Sequence, residues 1–281
     1  MLEASMVVIG DEILAGYVVD ANSGWFAERL RDHGVPLSRV HVVPDEFDAI
    51  DEALQAELAR PRPRVVVTSG GIGSTPDDLT YEAVAASLGR DLVEDELVAA
   101  RIDAALRWTA DQGVEVDDRF AWHLKRMARI PSGSRLLAAD AGWSPGVAVD
   151  VDGGSDRPGG ATVVILPGVP REFRSLVAGA IEPQLLEGRR EVPTVVQIEH
   201  GFPESALNLT FAELLERHPE VKLGSYPGSP MIIRLTGSAD TVAEAERFVR
   251  ERVDALAASP GGARLLDAWA ARTGRVTEED R

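Results

Sequence analysis

The chain has 281 residues, no cysteine and a formal net charge of −17, which excludes disulfides and thiolate metal sites and disfavours nucleic acid, whose phosphates need a basic surface. No run of about 18 apolar residues occurs, and the start, running into "MVVIGDEILAG", has neither a charged leader nor a small-residue cleavage site, so a cytoplasmic protein with no membrane partner is expected. Lys125 and Lys222 are its only lysines; arginine supplies the other cations. That acid excess fits a solvated surface in a salty, halophilic cytoplasm, or a GC-rich genome that writes Arg for Lys.

Apolar runs alternate with amphipathic ones. "SMVVIG" (5–10) reads as a buried strand and "NSGWFAERLRDHG" (22–34) as a helix with Asp20 or Asn22 as its cap and Gly34 as its stop. "PLSRVHVVP" (36–44) is a second strand, and Ile50, Leu54 and Leu58 recur with the spacing of one helix face. "RVVVTSGG" (64–71) is a third strand, followed by a helix expected to begin at Asp77. Short continuous apolar strands alternating with helices imply a mostly parallel sheet covered on both faces. Residues 94–128 read as an exposed helical excursion, "GVAVDV" (146–151) and "GATVVILPG" (160–168) as further strands, and 169–188 as a closing helix. The order then changes to β-α-β-β-α, which suits a small α+β domain. The division expected is 1–188, 189–258 and a C-terminal tail, 259–281, formed by a short helix and a frayed end.

Three turns follow strands: "GDEILAG" (10–16), "VPDEFDA" (43–49) and "SGGIGSTPDD" (69–78). In an open parallel sheet, ligands bind at the carboxyl ends of strands, where these turns lie. Gly70, Gly71 and Gly73 allow close backbone approach, and Ser74 and Thr75 add hydroxyls, so this loop suits a phosphate. No lysine accompanies it. Asp77 and Asp78 stand there instead, so a polyanion would arrive neutralised by a divalent metal, Mg or a transition metal, held by Asp78 and Asp45. One of Asp11 and Glu12 would face the crevice and orient a water. Asp45 with Glu46 also suits an N-cap, and Asp77 a favourable charge at a helix start. Lys125 and Arg126 read as a solvated helix face within reach of phosphates. Two further turns, "WSPG" with Pro145 and Gly146 and "LPGVPREF" with Pro167 and Gly168, offer rigid backbone to clamp a ring or reverse the chain.

In their order and spacing, "GDEILAG", "DANSGWFAERL", "VPDE", "TSGGIGSTPDDLTYEAVA", "GWSPG" and "LPGVPREF" resemble the molybdopterin-binding (MoaB/Mog-like) domain of the competence/damage-inducible protein A family, CinA, over about residues 5–185, and "GSYPG" resembles the small domain that follows it. The resemblance implies a three-layer α/β/α sandwich. It also implies either a pterin-type ligand such as molybdopterin, in molybdenum cofactor biosynthesis, or hydrolysis of a nucleotide pyrophosphate such as ADP-ribose or FAD with a divalent metal. The amidase domain of longer members is not expected here. Ser74 and Pro76 stand where that family often has Pro and His, and Asp140 where it often has Asn. The expectation is therefore a CinA-like nucleotide pyrophosphatase acting on a small nucleotide, with a pterin-binding protein as the alternative and a homo-oligomer compatible with either.

Overall fold

A computed structural model describes residues 2–137, 144–156, 158–188, 192–228 and 230–279. Its backbone contacts divide the chain into two compact units, Met1–Val192 and Pro193–Arg281. The boundary expected near Arg189 falls outside the described residues.

The first unit alternates strand and helix: β1 (Glu3–Ile9), α1 (Asp11–Leu14), α2 (Asn22–Asp32), β2 (Leu37–Val43), α3 (Phe47–Leu58), β3 (Arg64–Ser69) and α4 (Thr80–Ser87). An excursion follows, with β4 (Leu92–Glu94), α5 (Glu96–Asp111), α6 (Asp118–Lys125) and β5 (Arg129–Pro131), and then β6 (Ser134–Leu137), β7 (Gly146–Val151), β8 (Ala161–Leu166) and α7 (Pro170–Leu176). The sheet order is β2-β1-β3-β8-β7-β6. The four strands β2, β1, β3 and β8 are parallel, whereas β7 and β6 run antiparallel to their neighbours.

The alternation of side chains across the strands explains the layers. Ala4, Met6, Val65, Val67, Val164 and Leu166 pack with Phe26 and Leu30 of α2 and Phe173 of α7 on one face. Val7, Ile9, Val66, Val163 and Ile165 pack with Ile50 and Leu54 of α3 and Tyr81 and Val84 of α4 on the other. Each such side chain contributes roughly 1.5–3 kcal/mol on burial, so a sheet covered on both faces is the stable outcome for these apolar runs. The result is the expected α/β/α sandwich with a mostly parallel sheet.

Three local features differ from the sequence expectation. The closing helix leaves α geometry after Leu176 and continues as a π-helix, Val177–Leu186, containing Pro183; proline lacks the N–H of a regular helix interior, and a wider turn accommodates it. The excursion has its own small core of Val98, Ile102, Leu106 and Ala128, with Trp108 and Trp122 left exposed. The helix expected at Asp77 begins three residues later, at Thr80.

The second unit is β9 (Thr194–His200), α8 (Asn208–Arg217), β10 (Lys222–Tyr226), β11 (Met231–Gly237), α9 (Ala239–Ala258) and α10 (Pro260–Glu279). Its antiparallel sheet has the order β10-β11-β9. Leu207, Phe211, Leu214, Val242 and Val249 pack beneath Ile198, Ile233 and Leu235. The short helix and frayed tail expected from 259 onward is instead a helix of 20 residues. The Ser259 hydroxyl accepts the Gly262 N–H at 2.9 Å, and the two glycines sit in the first turn, where they cost the helix least. Among the described residues no helix is long and apolar enough to cross a membrane.

Candidate functional site

The carboxyl ends of β1, β3 and β8 open into a cleft of about 600 Å³, the position expected for a ligand in an open α/β sheet. Its floor is backbone. Gly70 and Gly71 follow β3 with φ of 110° and 65°, a region that favours glycine. A Cβ on Gly70 would lie 2.2 Å from the Ile9 carbonyl oxygen, and one on Gly71 2.3 Å from the Thr80 hydroxyl. The Thr80 N–H returns to the Gly71 carbonyl at 3.0 Å and its hydroxyl donates to the Gly70 carbonyl at 2.9 Å, so the start of α4 fastens the turn. Gly168, on the turn after β8, approaches the Gly70 Cα so closely that a Cβ would sit 3.2 Å away. Gly73, Ser74, Pro167 and Gly168 complete this floor.

The walls are acidic. Glu12, Asp20, Asp45, Asp77, Asp78 and Glu172 line the cleft, and no lysine, arginine or histidine does among the described residues. Asp45, expected to hold a metal with a cap for α3 as the alternative, accepts the Asp11 N–H at 2.9 Å; the N-cap position is Glu46, which makes no side-chain cap bond. Asp45 thereby ties the turn after β2 to the turn after β1. Burial pushes its carboxyl above the ordinary value; the Asp11 N–H opposes that, while the charges of Glu12, Asp11 and Asp77 push it further up.

Asp78 is held within its own turn. Its Oδ2 accepts the Thr75 N–H at 2.8 Å and the Thr75 hydroxyl at 2.6 Å. Because α4 begins at Thr80 with Leu79 as its N-cap, Asp77 and Asp78 precede the helix instead of sitting in its first turn. Both residues line the cleft.

Other expected positions fall elsewhere. The side chain of Asp11 is not part of the wall; its contribution is the backbone N–H given to Asp45. Thr75 is occupied by Asp78. Pro145 lines a separate small cavity with Tyr81 and Ile102, and Gly146 opens β7, where it packs on Leu166 and Leu137, so neither clamps a ring in the cleft. Asp140 lies outside the described residues.

Asn22 is the residue that sequence reading misplaced. Asp20 performs the capping, accepting the N–H groups of Asn22 at 2.9 Å and Ser23 at 3.1 Å. Asn22 itself is 4% exposed; its Nδ2 donates to the Gly168 carbonyl at 2.8 Å and the Ser69 hydroxyl at 3.0 Å. It therefore ties the tips of β3 and β8 together. With Nδ2 fixed by a carbonyl, the buried Oδ1 is left without a hydrogen-bond partner among the described residues. The signal was available: Asn22, Phe26 and Leu30 recur every four residues, so Asn22 shares the buried face of α2.

The apolar remainder of the wall is Ile13, Val18 and Val19 on one side and Leu124 and Met127 of the helical excursion on the other. Val19 is 87% exposed and Tyr17 86%.

Comparison with known proteins agrees with the fold. Residues 5–187 match a family described as a probable molybdopterin binding domain. Protein TK1472 of Thermococcus kodakarensis is 34% identical over 247 residues, covering 88% of this chain and 94% of its own. A CinA-like protein of a Mycobacterium species is 35% identical over 215 residues, covering 75% of this chain and 49% of its own, so this chain spans about half the length of that relative. A crystal structure of the protein CinA, of unknown function, from Thermoplasma acidophilum superposes with a TM-score of 0.52 at 33% identity, over 64% of this chain and 96% of that one.

Proposed function

The chain belongs to the molybdopterin-binding-domain family and, within it, to the CinA-like proteins, and from that premise we propose that its cleft hydrolyses the P–O–P linkage of a nucleotide pyrophosphate of the ADP-ribose or FAD type with the help of a divalent metal. One observation carries the reading: a glycine turn of the kind that receives phosphate opens into a cleft that, among the described residues, is lined by six acidic residues and by no Lys, Arg or His. A bare pyrophosphate would be repelled there, whereas a metal-complexed one would be attracted.

Such a metal would need few protein ligands. Among the described residues no three His, Cys, Asp or Glu side chains form a ready-made cage, but Mg²⁺ takes one or two carboxylates and completes its shell with water and substrate phosphates. Asp45 and Asp78 would hold it, with Asp77 beside them. Bound there, it would neutralise phosphate charge and acidify a coordinated water. The chain's own residues do the remainder. The Asp11 N–H fixes the Asp45 carboxylate. Thr75 fixes Asp78. Glu12 accepts a proton from the attacking water. That water adds to one phosphorus, the bridging P–O bond breaks, and two phosphomonoesters leave.

The test is phosphorus NMR of ADP-ribose, FAD, NAD and dinucleoside polyphosphates incubated with the protein and several divalent ions. Phosphomonoester resonances should replace the pyrophosphate signals for at least one substrate. The family description favours a second occupant, a molybdopterin-type ligand held without turnover; unchanged phosphorus spectra across the whole panel would decide for it.

A further inference from the structure

The acidic turn is held from outside the sheet. Arg126, at the end of the helical excursion, donates from Nη2 to the Asp78 carbonyl at 2.9 Å and from Nη1 to the Thr75 carbonyl at 3.4 Å. The same Nη2 pairs with Glu82 of α4 at 3.0 Å. Its guanidinium also lies 5.7 Å from the centre of the Trp122 ring, and its side chain is only 14% exposed. One planar group thus joins three parts: α6, the first turn of α4 and both ends of the 75–78 turn. A lysine, with one point charge, would not reproduce that fork.

This geometry overturns the expectation of a solvated helix face. It also gives the excursion a purpose, since Leu124 and Met127, on either side of Arg126, form part of the cleft wall. Asp78 folds back onto Thr75, so the placement of its carboxylate depends on the shape of the loop between those two residues. Arg126 grips that loop by its two end carbonyls.

We propose that Arg126 is a positioning residue: it couples the helical excursion to the acidic turn and sets where the Asp77 and Asp78 carboxylates stand in the cleft. The proposal rests on the cleft being the ligand site. Arg126 touches no cleft surface itself, so its effect passes through the turn. Releasing one end of the turn should displace the carboxylates by a fraction of an ångström or more, and a misplacement of 1 Å can cost about 100-fold in rate.

The experiment compares the full chain with Arg126→Ala and Arg126→Lys by hydrogen exchange of the 72–80 backbone and by turnover of ADP-ribose with Mg²⁺. In Arg126→Ala, exchange in 72–80 should rise at least tenfold while that of the β1, β3 and β8 amides stays unchanged. In the same variant kcat should fall by about 100-fold with KM changed less than threefold. Arg126→Lys, able to hold one carbonyl, should lie between the two. Unchanged exchange in Arg126→Ala overturns the positioning role, and faster exchange with kcat intact reduces Arg126 to a structural tie. If the unaltered chain turns over none of the substrate, the hydrolase reading has failed; the exchange measurement then decides the Arg126 proposal alone, with restored protection in Arg126→Lys supporting it.

Discussion

The two ends of the main sheet handle charge in opposite ways. At the amino ends of the parallel strands, acids and bases are buried together. Arg64 and Glu57 are both fully buried and meet at 3.1 Å. Glu3 reaches Arg64 at 3.0 Å, His41 reaches Glu57 at 2.9 Å, and Arg60 stands 3.5 Å from Glu57. Burial pushes the Glu57 carboxyl up, but the His41 bond and the Arg64 charge outweigh it and hold it below the ordinary carboxylate value. At the carboxyl ends the acids stand, among the described residues, without a cationic side chain in the wall, and Asp45 is pushed the other way. One end balances its charges within the fold. The other does not among the described residues, and on the proposed reading a metal-complexed anion supplies the balance.

The largest effect should come from unbalancing the balanced end. Removing one member of a buried pair leaves an uncompensated charge and costs about 3–5 kcal/mol. Arg64→Leu should lower the denaturation midpoint accordingly, and the double variant with Glu57→Leu should recover much of the loss. Urea titration of the three chains checks this; an Arg64→Leu chain as stable as the parent would show that the pair is not the anchor its burial suggests.

A smaller effect separates the two ends by pH. The folded-state value of Glu57 is depressed, so its contribution is present above the unfolded value and is lost as pH falls through the folded one. Asp45 has a raised value, so its ionisation costs stability at neutral pH, and that cost is relieved as pH falls. Asp45→Asn keeps an acceptor for the Asp11 N–H and removes the charge. It should stabilise the ligand-free protein near neutrality by less than about 1 kcal/mol, given how open the cleft is, with the gain vanishing in acid. Melting curves from pH 3 to 8 would show it. A gain that grows in acid would reverse the sign assigned to Asp45.

The contrast also explains what was legible in the sequence. The apolar strands, the alternation with helices and the glycine turn are local signals, and local physics carried them into the structure. Glu57 lies among the buried residues of α3 with Ile50, Leu54 and Leu58, yet its partner Arg64 opens a strand in a different element, so the pair could not be read from either segment. Asn22 was misplaced for a related reason: its partners, Ser69 and Gly168, are 47 and 146 residues away. Arg126 is expected to be solvated because two of its acceptors are backbone carbonyls, which leave no mark on the sequence, and the third, Glu82, lies 44 residues away. The glycine turn, Asp45, Asp78 and Glu12 stand at the cleft because they follow strands of a parallel sheet, a rule of topology; Pro167 and Gly168, expected as a turn that clamps a ring or reverses the chain, line it too. Pro145 and Gly146 precede β7, which runs antiparallel and so starts beside the carboxyl end of β8; Gly146 packs on Leu166 and Leu137 there instead of lining the cleft.

The claim that the acid-lined end waits for a cation is tested most directly by titrating ADP-ribose into the protein calorimetrically, once after exhaustive chelation and once with Mn²⁺ or Mg²⁺ restored, at temperatures low enough to slow turnover. The account predicts binding only in the presence of the divalent ion, and its loss again on renewed chelation. Equal affinity with and without the ion would contradict it, since the anion would then be held by the glycine turn against six unneutralised carboxylates.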